Sequence, residues 1–271
     1  MFFRKIMKQN MTQEPIVYQT GTDVKLINKA EYCKSIIADG KELIIGNESG
    51  VITVPELKDP KVYITFKEGI TNFSDVFLGC IKLTSVPANL FANHPNATSF
   101  SGAFFGCMSL KSIPAGLFAN NRKVTDFYST FFGCTSLAAI PENLFAKCSE
   151  VTTFSTTFHA CDALTSIPEN LFANCPEVTD FNFTFYSCKA LTSIPANLFD
   201  NNRKVTDFAY TFYGCKALTG ESPYTMIDGQ KVHLYERANY PEQFTAPENS
   251  DRCFYGCTGL TDYSQIPTDW L

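Results

Sequence analysis

One histidine and one cysteine lie close enough in the sequence to suggest nucleophilic chemistry. His159 and Cys161 are two residues apart, and a histidine can take the proton of a cysteine thiol so that the thiolate attacks a substrate. However, His159 occupies a place that aromatic residues fill elsewhere in the chain, and Cys161 belongs to a periodic set of cysteines. Buried structural thiols of this kind are inert. We therefore predict that the pair is structural and that the chain is not an enzyme.

Cysteine and histidine also bind metals, but their spacing argues against a metal site here. Structural zinc sites combine Cys-x-x-Cys pairs or clustered histidines. The closest cysteines, Cys253 and Cys257, are spaced Cys-x-x-x-Cys and have no partner pair. The glycines do not form a phosphate-binding loop either. We predict no metal and no cofactor, and two pairs stay open as either disulfides or free thiols: Cys148 with Cys175, and Cys253 with Cys257.

Most of the 11 cysteines belong to an internal repeat of 27 residues. The cysteine positions of this repeat are Cys80, Cys107, Cys134, Cys161, Cys188 and Cys215. Two phenylalanine positions keep the same period, one running from Phe73 to Phe208 and the other from Phe77 to Phe212. Self-similarity at a period of about 20 to 50 residues indicates a solenoid, in which each coil is completed by its neighbours.

Each repeat divides into three predicted parts. Phe127 and Phe131 are four residues apart, which favours a short helical turn capped by Asp126 and ended by Gly133. Residues 164–167 form a short strand that Pro168 ends, and successive strands are expected to pair in parallel. The chain should then turn a corner in the left-handed backbone region, at Asn89, Gly116, Asn143, Asn170 and Asn197. The predicted fold class is therefore α/β.

The repeat unit is similar to those of a known family. Its pattern, Phe-x-x-x-Phe-x-Gly-Cys-x-x-Leu-Thr-Ser-Ile-Pro, resembles the BspA-like leucine-rich repeats of bacterial surface proteins over residues 63–220 and again over 253–266. The resemblance implies a leucine-rich-repeat solenoid with a short-strand parallel sheet and short helical turns. It also implies a surface protein that acts in adhesion or recognition.

The repeat boundaries suggest five segments. They are a flexible N-terminus (1–15), an N-terminal cap or small β-rich module (16–62), the solenoid (63–220), a hairpin insertion (221–252) and a final half-repeat with a C-terminal cap (253–271). Within the second segment, residues 28–37 favour a helix. Within the fourth, Asp228-Gly229 is typical of a tight hairpin turn.

Two surface features are candidates for binding. The first is a stripe of one amphipathic or aromatic residue per coil: Phe105, Phe132, His159, Tyr186, Tyr213 and Tyr255. Such a stripe either binds a protein or stacks on sugar rings, or it only covers the edges of adjacent coils. The second candidate is the hairpin, with Asp228, His233 and Tyr235.

Charge and hydropathy limit the partners. The 22 lysines and arginines against 27 aspartates and glutamates give a net charge of −5, so we expect no nucleic-acid partner. No apolar stretch approaches the roughly 18 residues of a membrane span. Met1–Lys8 is basic but polar residues follow, so no export signal is predicted. The resemblance favours the cell surface or secretion, and a cytoplasmic location stays open.

These observations predict a non-catalytic binding module, in cell-surface adhesion or recognition of a protein or glycan. The alternative is a structural component of a surface complex that acts by self-association.

Overall fold

A computed structural model of the chain describes residues 14–43 and 50–271. Most of the segment predicted to be a flexible N-terminus, residues 1–13, lies outside the described residues. The strands are β1 Ile16–Tyr18, β2 Gly21–Ile27, β3 Cys33–Ala38, β4 Lys41–Glu42, β5 Ile52–Leu57, β6 Lys61–Phe66, β7 Leu83–Ser85, β8 Tyr224–Ile227 and β9 Gln230–His233. Short 3-10 helices cover Ala30–Tyr32, Leu234–Asn239, Tyr263–Gln265 and Thr268–Trp270.

The N-terminal strands form a sheet that continues into the first coil. The strand order is β4-β3-β6-β1-β7, and β2 pairs separately with β5. β1 lies antiparallel to both β6 and β7, through the pairs Ile16–Val62 and Val17–Ser85. The helix predicted over residues 28–37 is wrong. A single 3-10 turn is followed by β3, because the β-branched Ile36 and Ile37 are buried where β3 pairs with β6.

Successive coils are joined by a set of backbone hydrogen bonds that we call the inter-coil ladder. In each coil four alternate N–H groups donate to carbonyls of the next coil. For one coil the bonds run from Phe127 to Thr153, Ser129 to Ser155, Phe131 to Thr157 and Gly133 to His159, at 2.8–3.3 Å. The N–H groups between them close tight turns within their own coil, as from Thr130 to the Phe127 carbonyl at 3.2 Å. Every backbone donor of this segment therefore has a partner.

The inter-coil ladder replaces the helical turn predicted for this segment. Ser129 and Gly133 have left-handed φ values of 51° and 66°, which a right-handed helix cannot contain. The alternation of backbone handedness points every second N–H outward, toward the next coil. Phe127 and Phe131 are nevertheless both buried, and Asp126 caps the turn by accepting the N–H of Tyr128 at 2.8 Å.

The predicted short strands are found only in part. β7 in the first coil is a strand, but it pairs with β1. At the same position in later coils a single backbone bond joins neighbours, from Thr219 to Thr192 at 2.9 Å and from Ala138 to Lys111 at 3.4 Å. Isolated parallel bridges join Asn72, Ser99, Asp126, Thr153, Asp180, Asp207 and Asn249 in that order, and one further bridge, between Gly220 and Leu260, lies at the predicted strand position.

The predicted left-handed corner is confirmed only at Asn143, with φ of 58°. Asn89, Gly116, Asn170 and Asn197 do not have left-handed φ. The corner is closed instead by ordinary turns, such as the bond from the Leu117 N–H to the Pro114 carbonyl at 3.1 Å. A right-handed turn of this kind does not require glycine or asparagine.

The core consists of stacked phenylalanine rings. Phe73 lies 5.5 Å from Phe100, and Phe77 lies 5.4 Å from Phe104, with nearly parallel rings. A third phenylalanine position also recurs every 27 residues, from Phe91 to Phe199. The ring of Phe91 packs against Phe100, tilted 55° at 4.7 Å. Burial of one such ring stabilises the fold by about 1.5–3 kcal/mol. Packing therefore explains why the chain contains 25 phenylalanines.

A buried polar position of the repeat also joins successive coils. We call it the donor column, and it contains His94, Asn121, Cys148, Cys175 and Asn202. Asn202 donates its side-chain amide to the carbonyls of Phe172 and Cys175 in the preceding coil, at 3.3 and 2.8 Å. Asn121 does the same to Phe91 and His94, at 3.2 and 2.8 Å.

The donor column is completed by a residue outside the repeat. Arg237, only 3% exposed, donates to the carbonyls of Phe199 and Asn202 at 2.7 and 3.0 Å. These are the two carbonyls that the asparagine of a further coil would reach. Arg237 therefore takes the place of the next coil, and its guanidinium also lies 4.2 Å from the ring centre of Phe244.

The segments at the two ends supply partners that a neighbouring coil would otherwise provide. The Asn28 N–H donates to the Val76 carbonyl of the first coil at 2.9 Å, and the Phe254 N–H of the last coil donates to the Trp270 carbonyl at 2.9 Å. Between the last two coils, β8 and β9 form a hairpin whose turn residues Asp228 and Gly229 have φ of 49° and 79°. Among the described residues, no helix has the length and apolarity to cross a membrane.

Candidate functional site

The aromatic stripe is a continuous stack of rings on the surface of the coils. Its ring centres are 4.3 Å apart from Phe105 to Phe132, 4.4 Å on to His159, 4.5 Å on to Tyr186, 4.7 Å on to Tyr213 and 4.9 Å on to Tyr255. The angles between neighbouring rings are between 1° and 25°. The structure thus brings together all six residues that the sequence singled out for this stripe.

The inter-coil ladder places the stripe. Phe104 is fully buried and Phe105, the next residue, is half-buried, so the chain passes from the core to the surface between them. The N–H of Gly106 then donates to the Phe132 carbonyl at 2.7 Å and fixes the distance between the coils at this point. Each stripe residue is therefore held by backbone bonds immediately beside it.

The stacking decides which part of each ring a partner can reach. Both faces of Phe132, His159, Tyr186 and Tyr213 are covered by the neighbouring rings, so only their edges are accessible. An aromatic edge carries the positive part of the ring quadrupole and prefers carbonyl oxygens or the faces of other aromatic rings. Sugars bind aromatic residues through ring faces, which the stripe does not offer along its length. Tyr255 at its end is 49% exposed.

The stripe is wider toward the C-terminal end than the sequence suggested. Phe183 and Tyr210, which we call the side pair, stack on each other at 4.6 Å. They lie 5.4 Å from Tyr186 and 5.7 Å from Tyr213, respectively. The hydroxyl of Tyr210 donates to Asp251 at 2.6 Å. The side pair was missed because the same repeat position holds Asp75, Gly102, Ser129 and Thr156 in earlier coils.

His159 and Cys161 lack the properties of a nucleophile pair. The Cys161 thiol is fully buried and donates to the Phe131 carbonyl at 3.3 Å, and burial raises its pKa well above the usual range. Burial lowers the pKa of His159 to about 4. A catalytic cysteine needs a lowered thiol pKa instead. The imidazole instead lies as one ring within the stack.

The cysteines are buried free thiols. All eleven, including Cys148, Cys175, Cys253 and Cys257, are unpaired by disulfides. Thiols of the repeat position donate to a phenylalanine carbonyl of the preceding coil, as from Cys134 to Phe104 at 3.3 Å. Within residues 14–43 and 50–271, no group of three or more histidine, cysteine, aspartate or glutamate side chains could hold a metal ion.

The hairpin candidates do not form one group. Asp228 lies at the exposed turn, whereas His233 and Tyr235 lie at the far end of the hairpin, where their rings stack at 5.2 Å. The two rings surround Asp262, which is 3.3 Å from the His233 Nδ1 and accepts a bond from the Tyr235 hydroxyl at 3.4 Å. Ser222 donates to the same carboxylate through both its hydroxyl and its backbone N–H.

Ser222, His233 and Asp262 are the residue types of a catalytic triad, but their arrangement differs from one. In a triad the two imidazole nitrogens separate the serine from the carboxylate. Here the same Nδ1 faces both, at 2.9 Å from the Ser222 hydroxyl and 3.3 Å from Asp262. Ser222 is also 0% exposed. The cluster therefore links the hairpin to the last coil. Ser222 and Asp262 are 40 residues apart, so the sequence gives no signal for their contact.

Comparison with known proteins adds little. No protein-family description and no curated protein matches the chain. Among solved structures, a leucine-rich cell surface protein from Faecalibacterium prausnitzii is similar at 21% identity and a TM-score of 0.19, over 56% of this chain and 47% of that one. A TLR13–ssRNA13 complex follows at 11% identity and 0.17, over 52% and 32%. The Toll–Spatzle complex of Drosophila follows at 16% and 0.14, over 66% and 34%.

All three solved structures contain leucine-rich or Toll-type receptor chains, of which this chain spans about half or less. Their TM-scores are too low to carry an argument on fold or function. The architecture described above consequently rests on the hydrogen bonds and ring contacts of this chain.

Proposed function

We propose that this chain is a non-catalytic binding module that recognises a protein through the aromatic stripe. The observation that carries the proposal is the covering of ring faces along the stripe, at 4.3–4.9 Å. Exposed ring edges suit the carbonyl groups and aromatic side chains of a protein surface. Rings already stacked on each other also lose little conformational entropy on binding, which favours their use as anchors.

A glycan is the less favoured ligand for the same reason. A sugar could stack only on the outer faces of the terminal rings, Phe105 and Tyr255, and the four rings between them would contribute edges alone. The hairpin is also less favoured, because His233 and Tyr235 are committed to Asp262. Asp228 remains exposed at the turn and could contribute one charge to a contact.

The proposed setting is the cell surface. The BspA-like repeat pattern of residues 63–220 supports adhesion or recognition there, as a member of that leucine-rich-repeat family. A second candidate function is assembly by self-association, in which the stripe of one copy packs on another copy. The width of the stripe at the side pair favours this candidate, because Phe183 and Tyr210 enlarge the apolar area.

A binding experiment separates these functions. The purified chain is applied to immobilised fibronectin, laminin and collagen and, in parallel, to a glycan array. We expect binding to at least one of the proteins, weakened at least tenfold in the double variant Tyr186→Ala/Tyr213→Ala. Tyr128→Ala is the matched control, since Tyr128 is 50% exposed and outside the stripe, and it should bind as the parent does.

Two outcomes would contradict the proposal. One is binding to glycans alone, and the other is protein binding that the double variant leaves unchanged while circular dichroism shows it folded. Sedimentation equilibrium of the same samples tests the second candidate. A strict monomer at high concentration excludes assembly through the stripe.

A further inference from the structure

A cleft lies where the N-terminal strands meet the first coil, far from the hairpin. Its volume is about 420 Å³, which is within the range of roughly 300–1,000 Å³ typical of small-molecule sites. Lys34 of β3 and the end of β6 line one side, and the corner of the first coil lines the other. The lining residues are Lys34, Thr65, Phe66, Glu68, Leu90, Asn93 and His94.

His94 is the unusual residue of the cleft, because it is the first member of the donor column. Asn121 and Asn202 use this position to donate to two carbonyls of the coil before them. The first coil has no preceding coil, and the Nδ1 atom of His94 is buried without a hydrogen-bond partner. The side chain is held in place, 6% exposed, with its ring 4.9 Å from Phe73 and 6.0 Å from Phe66.

A buried polar atom without a partner costs about 1–3 kcal/mol, and among the described residues the Nδ1 of His94 shares this state with the Oδ1 atoms of Asn121 and Asn202 in the donor column. At the equivalent positions the repeat uses asparagine or cysteine. The imidazole at the rim of a cleft is therefore not required by the coil. Burial lowers the pKa of His94, so the ring is neutral near pH 7 and has one donor and one acceptor nitrogen.

The rest of the lining has two opposite charges and an apolar wall. Lys34 and Glu68 are exposed, and neither forms an ion pair or a side-chain hydrogen bond within the described part of the chain. They are thus available to a ligand. Phe66 and Leu90 are mostly buried and supply apolar surface between them. A ligand that satisfies all of these groups carries an anion, a cation and a short hydrocarbon chain.

We propose that this cleft binds a free aliphatic α-amino acid. Lys34 and the His94 imidazole receive its carboxylate, Glu68 receives its ammonium group, and Phe66 and Leu90 contact its side chain. The site is separate from the aromatic stripe and makes the chain a sensor of a small metabolite as well as a binding module.

The test uses L-leucine and two analogues in isothermal titration calorimetry with the full chain. The analogues are 4-methylpentanoate, which lacks the ammonium group, and 3-methylbutylamine, which lacks the carboxylate. We expect L-leucine to bind at least tenfold more tightly than either. Lys34→Met should weaken the binding of L-leucine and 4-methylpentanoate but not that of 3-methylbutylamine. Glu68→Gln should weaken the binding of L-leucine and 3-methylbutylamine but not that of 4-methylpentanoate.

His94→Asn introduces the residue that the next coil has at the equivalent position, Asn121, and should weaken the binding of L-leucine without unfolding the chain. Lys147→Met, on the exposed surface of another coil, is the control for loss of a positive charge. The proposal is overturned if L-leucine gives no heat at about 10 mM with folded protein, or if both charge variants bind it as the parent does. The double variant of the stripe should bind L-leucine normally, so this proposal and the proposed function can fail independently.

Discussion

Arg237 is the residue whose removal should reveal how the coil stack is closed. It lies outside the repeat, yet its guanidinium makes the two bonds that Asn202 makes one coil earlier, at 2.7 and 3.0 Å. Burial lowers the pKa of Arg237 to about 9, so the side chain is still charged at pH 7. We predict that Arg237→Met selectively destabilises the C-terminal end.

The magnitude follows from two opposing contributions. Each hydrogen bond from a charged donor contributes about 1.5–3 kcal/mol, and both acceptor carbonyls would be left buried without a partner. Removal of the buried charge recovers part of its desolvation cost. The methionine keeps most of the contact with Phe244. The expected net loss in the free energy of unfolding is therefore about 2–4 kcal/mol.

The assay is equilibrium urea unfolding followed by two signals. Trp270 is the one tryptophan of the chain, and its ring contacts Phe208 and Phe254 in the last coils. Its fluorescence reports the C-terminal end, while circular dichroism reports the whole stack. Repeat arrays unfold in parts when one end is weakened. We expect the fluorescence midpoint of Arg237→Met to fall below the circular dichroism midpoint.

Arg122→Met is the matched control, since Arg122 is exposed and lies in a repeat. It should change the free energy of unfolding by less than about 0.5 kcal/mol. Arg237→Lys tests geometry, because one ammonium group does not reproduce the two-pronged donation of guanidinium. The reasoning is refuted if Arg237→Met unfolds with the same midpoints as Arg122→Met.

Two further predictions concern the coils themselves. Burial lowers the pKa of His159 from 6.5 to about 4, so the unfolded chain binds the proton more tightly and stability should be lost as the pH falls from 6.5 to 4. The expected loss in the free energy of unfolding is about 1–2 kcal/mol. This value is reduced because His159 is partly exposed and because its charged ring is attracted by the aromatic neighbours. Urea unfolding at both pH values should show a smaller loss for His159→Phe, and equal losses would contradict the assignment. Thr156 is a β-branched residue at a left-handed φ of 59°, so Thr156→Gly should stabilise the chain by about 0.5–1 kcal/mol in thermal unfolding, whereas Ser136→Gly, at ordinary φ, should not.

The repeat made much of the packing predictable. Phe73 and Phe77, whose equivalents recur every 27 residues, are fully buried. The aromatic stripe followed from the same period. Such predictions succeed because a residue repeated in every coil must meet its own copies.

The backbone between the phenylalanines was not predictable from their spacing. Residues four apart share one face of a helix, but the left-handed positions at Ser129 and Gly133 place Phe127 and Phe131 on one side by another route. Asp75 and Gly102, at the same repeat position as Ser129, were the available signals, because aspartate and glycine tolerate positive φ. Thr156 and Phe183 at that position are residues that rarely adopt positive φ, so the pattern was concealed.

Contacts made outside the repeat were not predictable either. Arg237 lies 35 residues beyond Asn202 and makes the bonds that an asparagine of a further coil would make. Asp262 contacts Ser222 across the hairpin. The unpartnered Nδ1 of His94 becomes visible only when the donor column of the other coils is known. Each depends on which coil has a neighbour, and single-residue patterns do not contain that information.

The inter-coil ladder gives the stack an electrical direction. All four of its N–H groups per coil point toward the C-terminal end, as from Phe73 to Ser99 and from Phe208 to Asn249. Peptide dipoles of about 3.5 D therefore add along the ladder, and they outnumber the backbone bonds that run the other way, such as those from Thr125 to Thr98 and from Ala138 to Lys111. The first coil presents carbonyls and the last presents N–H groups, which is why Asn28 contributes a donor and Trp270 an acceptor. A chain stripped of both end segments would have two complementary ends, and head-to-tail joining of such copies produces open filaments rather than closed dimers.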